Sequence, residues 1–137
     1  MALDRFLKEL CADLQNMLGQ GGKLSVLCEA SACHLPTEQV IPVALIANEL
    51  ITNALKYSYT AEAGGVIRVI CENEPGRVIL TVSDEGHLLP ESFDVAASHG
   101  LGMKMINALA KQLRATFEVV RRPKGKSFVL RVPVPEN

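Results

Sequence analysis

The order of hydrophobic and polar residues in this chain predicts three helices. In residues 3–18, leucine and phenylalanine recur every three or four positions, and the following GQGG ends the pattern. This is the spacing of an amphipathic helix, because one turn takes 3.6 residues. A second helical stretch runs from Thr37 to about Tyr59, and a third covers residues 101–113.

Five other segments have the composition and alternation of strands. They cover residues 23–30, 66–73, 77–84, 115–122 and 126–134. The turns EPG and PKG each join two of these strands into a hairpin. Helices mixed with blocks of strands predict an α+β fold, a two-layer α/β sandwich with a mixed, mostly antiparallel sheet covered on one face by about three helices. Residues 1–137 are interpreted as a single domain without repeats.

The composition of the chain limits which binding partners and which cellular compartment are expected. A net charge of −1 over 137 residues does not favour nucleic acid or an anionic membrane, and no apolar run reaches the length of a membrane span. The absence of tryptophan argues against a stacking platform for single-stranded nucleic acid. Cys11, Cys28, Cys33 and Cys71 form no CxxC pair, which favours reduced, mostly buried thiols of a cytoplasmic protein. Cys28 and Cys33 with His34 lack the second ligand pair of a usual zinc site.

One predicted helix carries polar side chains inside an apolar run, PVALIANELITNALKY. Helical geometry places Glu49, Asn53, Lys56 and Tyr57 on a single stripe. This stripe could simply face solvent. It could also form a magnesium–phosphate site, in which oxygen donors meet the metal and the ammonium meets the phosphate. The stripe alone leaves both interpretations open.

Two glycine-containing motifs follow further along the chain. Asp84 closes a predicted strand and Gly86 comes two residues later, so a carboxylate acceptor stands next to a backbone that can approach a flat ring. Gly100 and Gly102 stand where a helix begins, and free N–H groups at such a position suit a phosphate. Neither motif alone is strong evidence for a nucleotide site, because ordinary turns and hinges also contain these residues.

In this order and spacing, the motifs resemble the GHKL family of ATP-binding domains, which includes histidine kinases, type II topoisomerases, Hsp90-like chaperones and MutL proteins. NELITNALKY resembles its N box, SDEGHLLP its G1 box and HGLGMKM its G2 box, and PKGKSFVLRVP resembles its closing hairpin. The motifs are most similar to those of bacterial histidine kinases. Among these, the chain resembles a sister family of the HWE group, with Asn48 where HWE members carry histidine.

The resemblance implies a catalytic and metal-binding group formed by Glu49, Asn53 and Lys56. Asn53 would coordinate Mg²⁺, and Glu49 would support that metal or polarise the incoming group. Lys56 would face phosphate oxygens, and Tyr57 would pack beside the nucleotide. The implied cofactors are therefore ATP and Mg²⁺.

It also implies a base-binding and phosphate-binding group. Asp84 would accept a hydrogen bond from the adenine amine, and Gly86 would let the backbone approach the base. The other implied nucleotide contacts are Leu89, Gly100, Leu101, Gly102, Met103 and Ser127. Leu88 departs from the family's DxGxG pattern and restricts positive φ, so ATP affinity or closure of the lid (about residues 87–99) would be altered. This lid is also short, and the two features together predict micromolar or weaker binding.

The resemblance further implies a role in bacterial, cytoplasmic two-component signalling. The domain would donate the γ-phosphoryl group to a histidine on a separate dimerisation domain, upstream of a response regulator, and would be monomeric in isolation. His34, His87 and His99 do not lie on a dimerisation helix and are interpreted as non-acceptors. The chain is thus expected to be the ATP domain of a longer kinase or a stand-alone relative. Two alternatives stay open: a degenerate scaffold without ATP binding, and an anti-sigma-type serine kinase.

Overall fold

The computed structural model describes residues 1–18, 24–54, 65–85, 101–123 and 125–135. Several of the positions discussed above lie outside these ranges: Lys56, Tyr57, Gly86, His87, Leu88, Leu89, His99 and Gly100. Their predicted roles stay predictions. Leu101 is the first residue of a helix, so its backbone position is known.

The described residues form three helices and five strands in the predicted order. The helices are α1 (Leu3–Leu18), α2 (Thr37–Asn53) and α3 (Leu101–Gln112). The strands are β1 (Leu24–Ala30), β2 (Gly65–Glu74), β3 (Arg77–Asp84), β4 (Thr116–Arg121) and β5 (Lys126–Pro133). No helix in the described ranges is long and apolar enough to cross a membrane.

The five strands form one mixed sheet in the order β1-β2-β3-β5-β4. β1 pairs with β2 in parallel, and the other neighbours are antiparallel. A parallel pair needs a crossover connection, and the chain between β1 and β2 contains α2. The predicted mixed, mostly antiparallel sheet with three helices is confirmed.

Side chains in the central strands β3 and β5 alternate between the two faces of the sheet. Leu80 and Val82 on β3 belong to the same buried core as Phe128 and Leu130 on β5, together with residues of all three helices. Successive strand residues point to opposite faces, so residues at even-numbered positions of both strands face the helices. Asp84 and Lys126 are cross-strand partners in this same phase.

The direction of α2 determines which residues meet at each end of the sheet. The Gln39 side-chain Nε2, near the start of α2, donates a hydrogen bond of 3.1 Å to the Pro133 carbonyl at the end of β5. The 17 residues of α2 and the eight of β5 both span about 25 Å. A helix of this length that runs alongside β5 from that contact would bring Asn53, at the end of α2, to the end of the sheet where Lys126 begins β5.

Candidate functional site

The last turns of α2 place Glu49 and Asn53 at the border of the core. Both side chains are half-buried, while Leu50 and Ile51 between them are 1% and 0% exposed. The apolar residues fix α2 against the sheet, and positions four residues apart share a helix face. The polar stripe is therefore partly enclosed at this point, rather than turned fully toward solvent.

The start of α3 lies directly against these two side chains. A Cβ atom at Gly102 would lie 2.6 Å from Glu49 Oε2 and 3.7 Å from Asn53 Nδ2. Only glycine allows the helix to approach the carboxylate this closely. The structure thus brings together two predicted motifs that are about fifty residues apart in the sequence.

This junction combines oxygen atoms that can coordinate a metal with backbone N–H groups that can donate hydrogen bonds. The carboxylate of Glu49 and the amide of Asn53 supply oxygen atoms, which are the ligands that hard cations such as Mg²⁺ prefer. The first turn of α3, beginning at Leu101, has backbone N–H groups without intrahelical acceptors and the positive end of the helix dipole. Such a pairing of oxygen ligands and N–H donors suits a metal–phosphate group.

A buried ion pair joins the end of β3 to the start of β5. Lys126 Nζ lies 3.1 Å from Asp84 Oδ2 and 3.2 Å from Asp84 Oδ1. The two side chains are only 6% and 1% exposed, respectively. The predicted base-binding carboxylate therefore has an ammonium group as an immediate neighbour.

Lys126 was not among the residues predicted to form the site. A signal for it exists in KSFVLRVP, where Lys126 is in phase with the core residues Phe128 and Leu130 and so points to the helix side. Its partner could not be predicted from local pattern, because β3 and β5 are separated in sequence by α3 and β4.

Gly125 brings the start of β5 close to the end of β3. Its φ is +88°, and a Cβ atom there would lie 2.5 Å from Glu85 Cα and still closer to the Asp84 carbonyl oxygen. Any other residue would push the two strands apart at the Asp84–Lys126 pair. The glycine of the closing hairpin therefore has a packing role at the site.

The structure places two further predicted site residues, Ser127 and Met103, in buried positions. Ser127 faces the side of the sheet away from the helices, where its Oγ is 2.8 Å from Ser83 Oγ, and Arg122 donates hydrogen bonds to both hydroxyls. Strand alternation explains this placement, since Ser127 follows Lys126. Met103 is 7% exposed and belongs to the core. These placements do not test the predicted nucleotide contacts of Ser127 and Met103, which stay predictions.

The four cysteines are free thiols and form two contacting pairs. Cys33 and Cys71 are both buried, with their Sγ atoms 3.0 Å apart. Burial raises the pKa of both thiols. Cys11 shares a hydrogen bond with Cys28 that raises the pKa of Cys11 and lowers that of Cys28. Among the described residues, no group of three or more histidine, cysteine or acidic side chains could hold a metal ion.

Comparison with known proteins identifies the family. Residues 23–132 match the histidine kinase-like ATPase domain. The chain is 25% identical over 136 residues to blue-light-activated histidine kinase 2 of Erythrobacter litoralis, covering 98% of this chain and 39% of that protein. It is 34% identical over 103 residues to the nitrate/nitrite sensor protein NarX of Escherichia coli, covering 75% of this chain and 16% of NarX.

Solved structures agree in fold. The histidine kinase domain of the Erythrobacter litoralis EL346 blue-light activated kinase has a TM-score of 0.89 at 25% identity, over 98% of this chain and 62% of that one. The ATP binding domain of PrrB from Mycobacterium tuberculosis has a TM-score of 0.80 at 19% identity, over 99% and 96% of the two chains.

The chain belongs to the histidine kinase-like ATPase domain family, and its fold is that of the GHKL histidine kinases. It spans less than half the length of the two curated relatives named above.

Proposed function

We propose that this chain binds ATP with Mg²⁺ and donates the γ-phosphoryl group to a histidine on a separate dimerisation domain. The contact of Gly102 with Glu49 and Asn53 carries this proposal, because it joins an oxygen-donor pair to the N-terminal end of a helix. The family match supports the same reaction class. In a phosphorelay, a response regulator would receive the phosphoryl group next.

The donor set fits a magnesium ion that is shared with a nucleotide. Mg²⁺ is usually held by one or two protein oxygens together with phosphate oxygens and water, so a cluster of several acidic residues is not needed. Bound Mg²⁺ would neutralise charge on the phosphates. The side-chain oxygen of Asn53 would be its ligand, and Glu49 would hold that amide or a water in place.

The remaining groups would position the substrate. The N–H groups at Gly100, Leu101 and Gly102 would bind phosphate oxygens, and Lys56 would face the same oxygens. Phosphoryl transfer depends mainly on such positioning and on charge neutralisation, with little covalent chemistry by the protein. Asp84 would accept a hydrogen bond from the adenine amine, with Gly86 beneath the base.

A second candidate function is a scaffold that keeps the fold without binding ATP. The observation that favours it is the Asp84–Lys126 ion pair, because the carboxylate expected to bind the base already has a buried partner. Leu88 in place of the usual glycine points the same way. A direct measurement of ATP binding distinguishes the two functions.

That measurement is a calorimetric titration of the chain with ATP, with and without Mg²⁺. We expect saturable binding at micromolar or higher concentrations, and Asn53→Ala should remove its dependence on Mg²⁺. Asn48→Ala is the matched control, since Asn48 is also half-buried on α2. The Asn48→Ala variant should bind ATP like the parent chain. If the parent chain does not bind millimolar ATP, the proposed ATP binding is contradicted and the result favours the scaffold function.

Transfer to histidine is tested with a fusion that places a histidine-bearing dimerisation domain before residue 1. After incubation with γ-labelled ATP, the label should be lost in acid and retained in base, as expected for phosphohistidine. Acid-stable label would indicate a serine kinase instead. Replacing the acceptor histidine by glutamine in the fusion should abolish the labelling.

A further inference from the structure

We propose that Cys28 is a site of oxidation by hydroperoxides, and that Cys11 is the resolving thiol that completes a Cys11–Cys28 disulfide. The oxidant is hydrogen peroxide or an organic hydroperoxide. The inference concerns two thiols that the proposed nucleotide binding does not use, so it stands independently of the proposed function. The product would join helix α1 to β1, an edge strand of the sheet, by a covalent bond.

Two hydrogen bonds to the backbone fix α1 alongside β1. Gln15, near the end of α1, accepts through Oε1 a 2.6 Å hydrogen bond from the Val26 N–H near the start of β1. Asp4, near the start of α1, accepts through Oδ1 a 3.2 Å hydrogen bond from the Cys33 N–H shortly beyond the end of β1. The helix therefore runs antiparallel to this edge strand, in a register that the two contacts define.

This register places Cys11 opposite Cys28. Cys11 precedes Gln15 by about one helical turn, and Cys28 follows Val26 at the next position on the same face of the strand. Four residues of helix and two of strand each advance about 6–7 Å, so the step between contacts is the same on both elements. A hydrogen bond joins the two thiols. Closing a disulfide thus requires only movement of side chains that are already in contact.

The two sulfurs differ in their access to solvent and in their charge. Cys28 is half-buried, so a small oxidant can reach it, whereas Cys11 is 3% exposed. The hydrogen bond from Cys11 is the main cause that lowers the pKa of Cys28, and the ammonium of Lys8 lowers it further, against burial and the carboxylates of Asp4 and Glu29. The thiolate is the nucleophilic form, so Cys28 is the sulfur that attacks the peroxide.

The reaction balances with the hydroperoxide as the oxidant. The Cys28 thiolate attacks one peroxide oxygen, the O–O bond breaks, and Cys28 sulfenic acid forms while the other oxygen takes up a proton and leaves as water or an alcohol. The Cys11 sulfur then attacks the Cys28 sulfur, and the hydroxyl group leaves with the Cys11 proton as water. The two sulfurs together lose two electrons, which reduce the hydroperoxide.

The second pair of thiols provides an internal comparison. The Sγ atoms of Cys33 and Cys71 are 3.0 Å apart, so proximity alone would favour a disulfide there. Both side chains are 0% exposed, and burial raises the pKa of both thiols. Access to the oxidant and thiolate character therefore favour Cys28 over either member of this pair.

The first test treats the reduced parent chain with hydrogen peroxide and follows the free thiols over time. We expect two of the four thiols to be lost in a first phase, roughly tenfold or more faster than the other two. Peptide mass mapping without reduction should identify a Cys11–Cys28 disulfide, and dithiothreitol should restore both thiols. A first phase that yields a Cys33–Cys71 disulfide, an intermolecular disulfide or no disulfide would overturn the inference.

The second test assigns the two roles with Cys11→Ala, treated with hydrogen peroxide in the presence of dimedone, which traps sulfenic acids. This variant should form no intramolecular disulfide, and Cys28 should carry the dimedone adduct. Cys33→Ala is the matched control, because it removes a thiol from the other pair, and it should form the Cys11–Cys28 disulfide at the parent rate. Dimedone on another cysteine, or on none, would show that Cys28 is not the site.

The folded structure should account for the selectivity of the oxidation. In concentrated urea the register between α1 and β1 is lost, so the preference for the Cys11–Cys28 disulfide should disappear. A preference that persists in urea would show that the fold does not build the site. Thermal unfolding establishes that each variant is folded, and if Cys11→Ala does not fold, the parent chain with and without urea decides the question.

Discussion

Gly102 lies so close to Glu49 that a single methyl group at position 102 would collide with the carboxylate. A Cβ atom there would lie 2.6 Å from Oε2, and real Cβ atoms essentially never approach within 3.0 Å. The atom in the way is the end of a flexible side chain, so the carboxylate can move aside while the backbone stays in place. Function and stability should therefore respond differently to a change at Gly102.

Gly102→Ala should weaken ATP binding roughly tenfold while leaving the free energy of unfolding within about 1 kcal/mol of the parent value. Alanine has the higher helix propensity, which offsets the cost of moving Glu49. Calorimetry and chemical denaturation check the two parts. In the Glu49→Ala background, adding Gly102→Ala should cause no further loss of affinity. An equal loss in both backgrounds would show that Gly102 acts independently of Glu49.

Gly125→Ala should be much more destabilising than Gly76→Ala. Both glycines have positive φ, +88° and +77°, so both substitutions strain the backbone. A Cβ atom at Gly125 would also meet backbone atoms of Asp84 and Glu85, whereas one at Gly76 would meet nothing within 4 Å. We expect a loss of about 1–2 kcal/mol for Gly76→Ala and about 3 kcal/mol or more for Gly125→Ala, measured by urea denaturation. Equal losses would mean that backbone strain alone determines both values.

Cys28 should be the first cysteine to react with iodoacetamide near neutral pH. Its pKa is lowered mainly by the hydrogen bond from Cys11, and its side chain is half-buried. The pKa of buried Cys71 is raised mainly by burial. The thiolate is the reactive form, so the rate should already be appreciable below about pH 8.5 and level off early as the pH rises. Peptide mass mapping identifies the modified residue, and Cys28→Ser should abolish the fast phase. Faster labelling of Cys71 would contradict the prediction.

Asp4 should make the stability of the domain depend on pH in the acidic range. Its carboxylate Oδ1 accepts a 3.2 Å hydrogen bond from the Cys33 backbone N–H, which is the main cause lowering its pKa below 3.8. A lowered folded-state pKa contributes stability above the unfolded-state value, and this contribution is lost as the pH falls through the folded-state pKa.

The expected result is that Asp4→Asn is less stable than the parent chain at pH 7 and that the difference shrinks below about pH 4. Urea denaturation across this range provides the measurement. Asp13→Asn, at an exposed position of the same helix, is the control for loss of one charge. A difference between parent and Asp4→Asn that is constant from about pH 7 to pH 3 would rule out this role for Asp4.

Local pattern was sufficient to predict the helices and strands and to single out candidate site residues. Side-chain period distinguishes helices from strands, and turn residues such as Pro75 and Gly76 mark where a hairpin reverses. The polar stripe of α2 and the glycines at the start of α3 were visible because each motif occupies a short stretch of sequence. Their chemistry therefore depends on residue type and spacing within one element.

The tertiary structure decided which of these elements meet. Period and turn chemistry do not specify that β1 lies parallel to β2 or that β3 lies beside β5, because such pairings depend on long-range packing. The pairing of β3 with β5 places Lys126 against Asp84 and Ser127 on the opposite face of the sheet. The close approach of Gly102 to Glu49 likewise exists only when α2 and α3 pack side by side. The sequence by itself determined the candidate groups, and long-range packing determined which of them are neighbours.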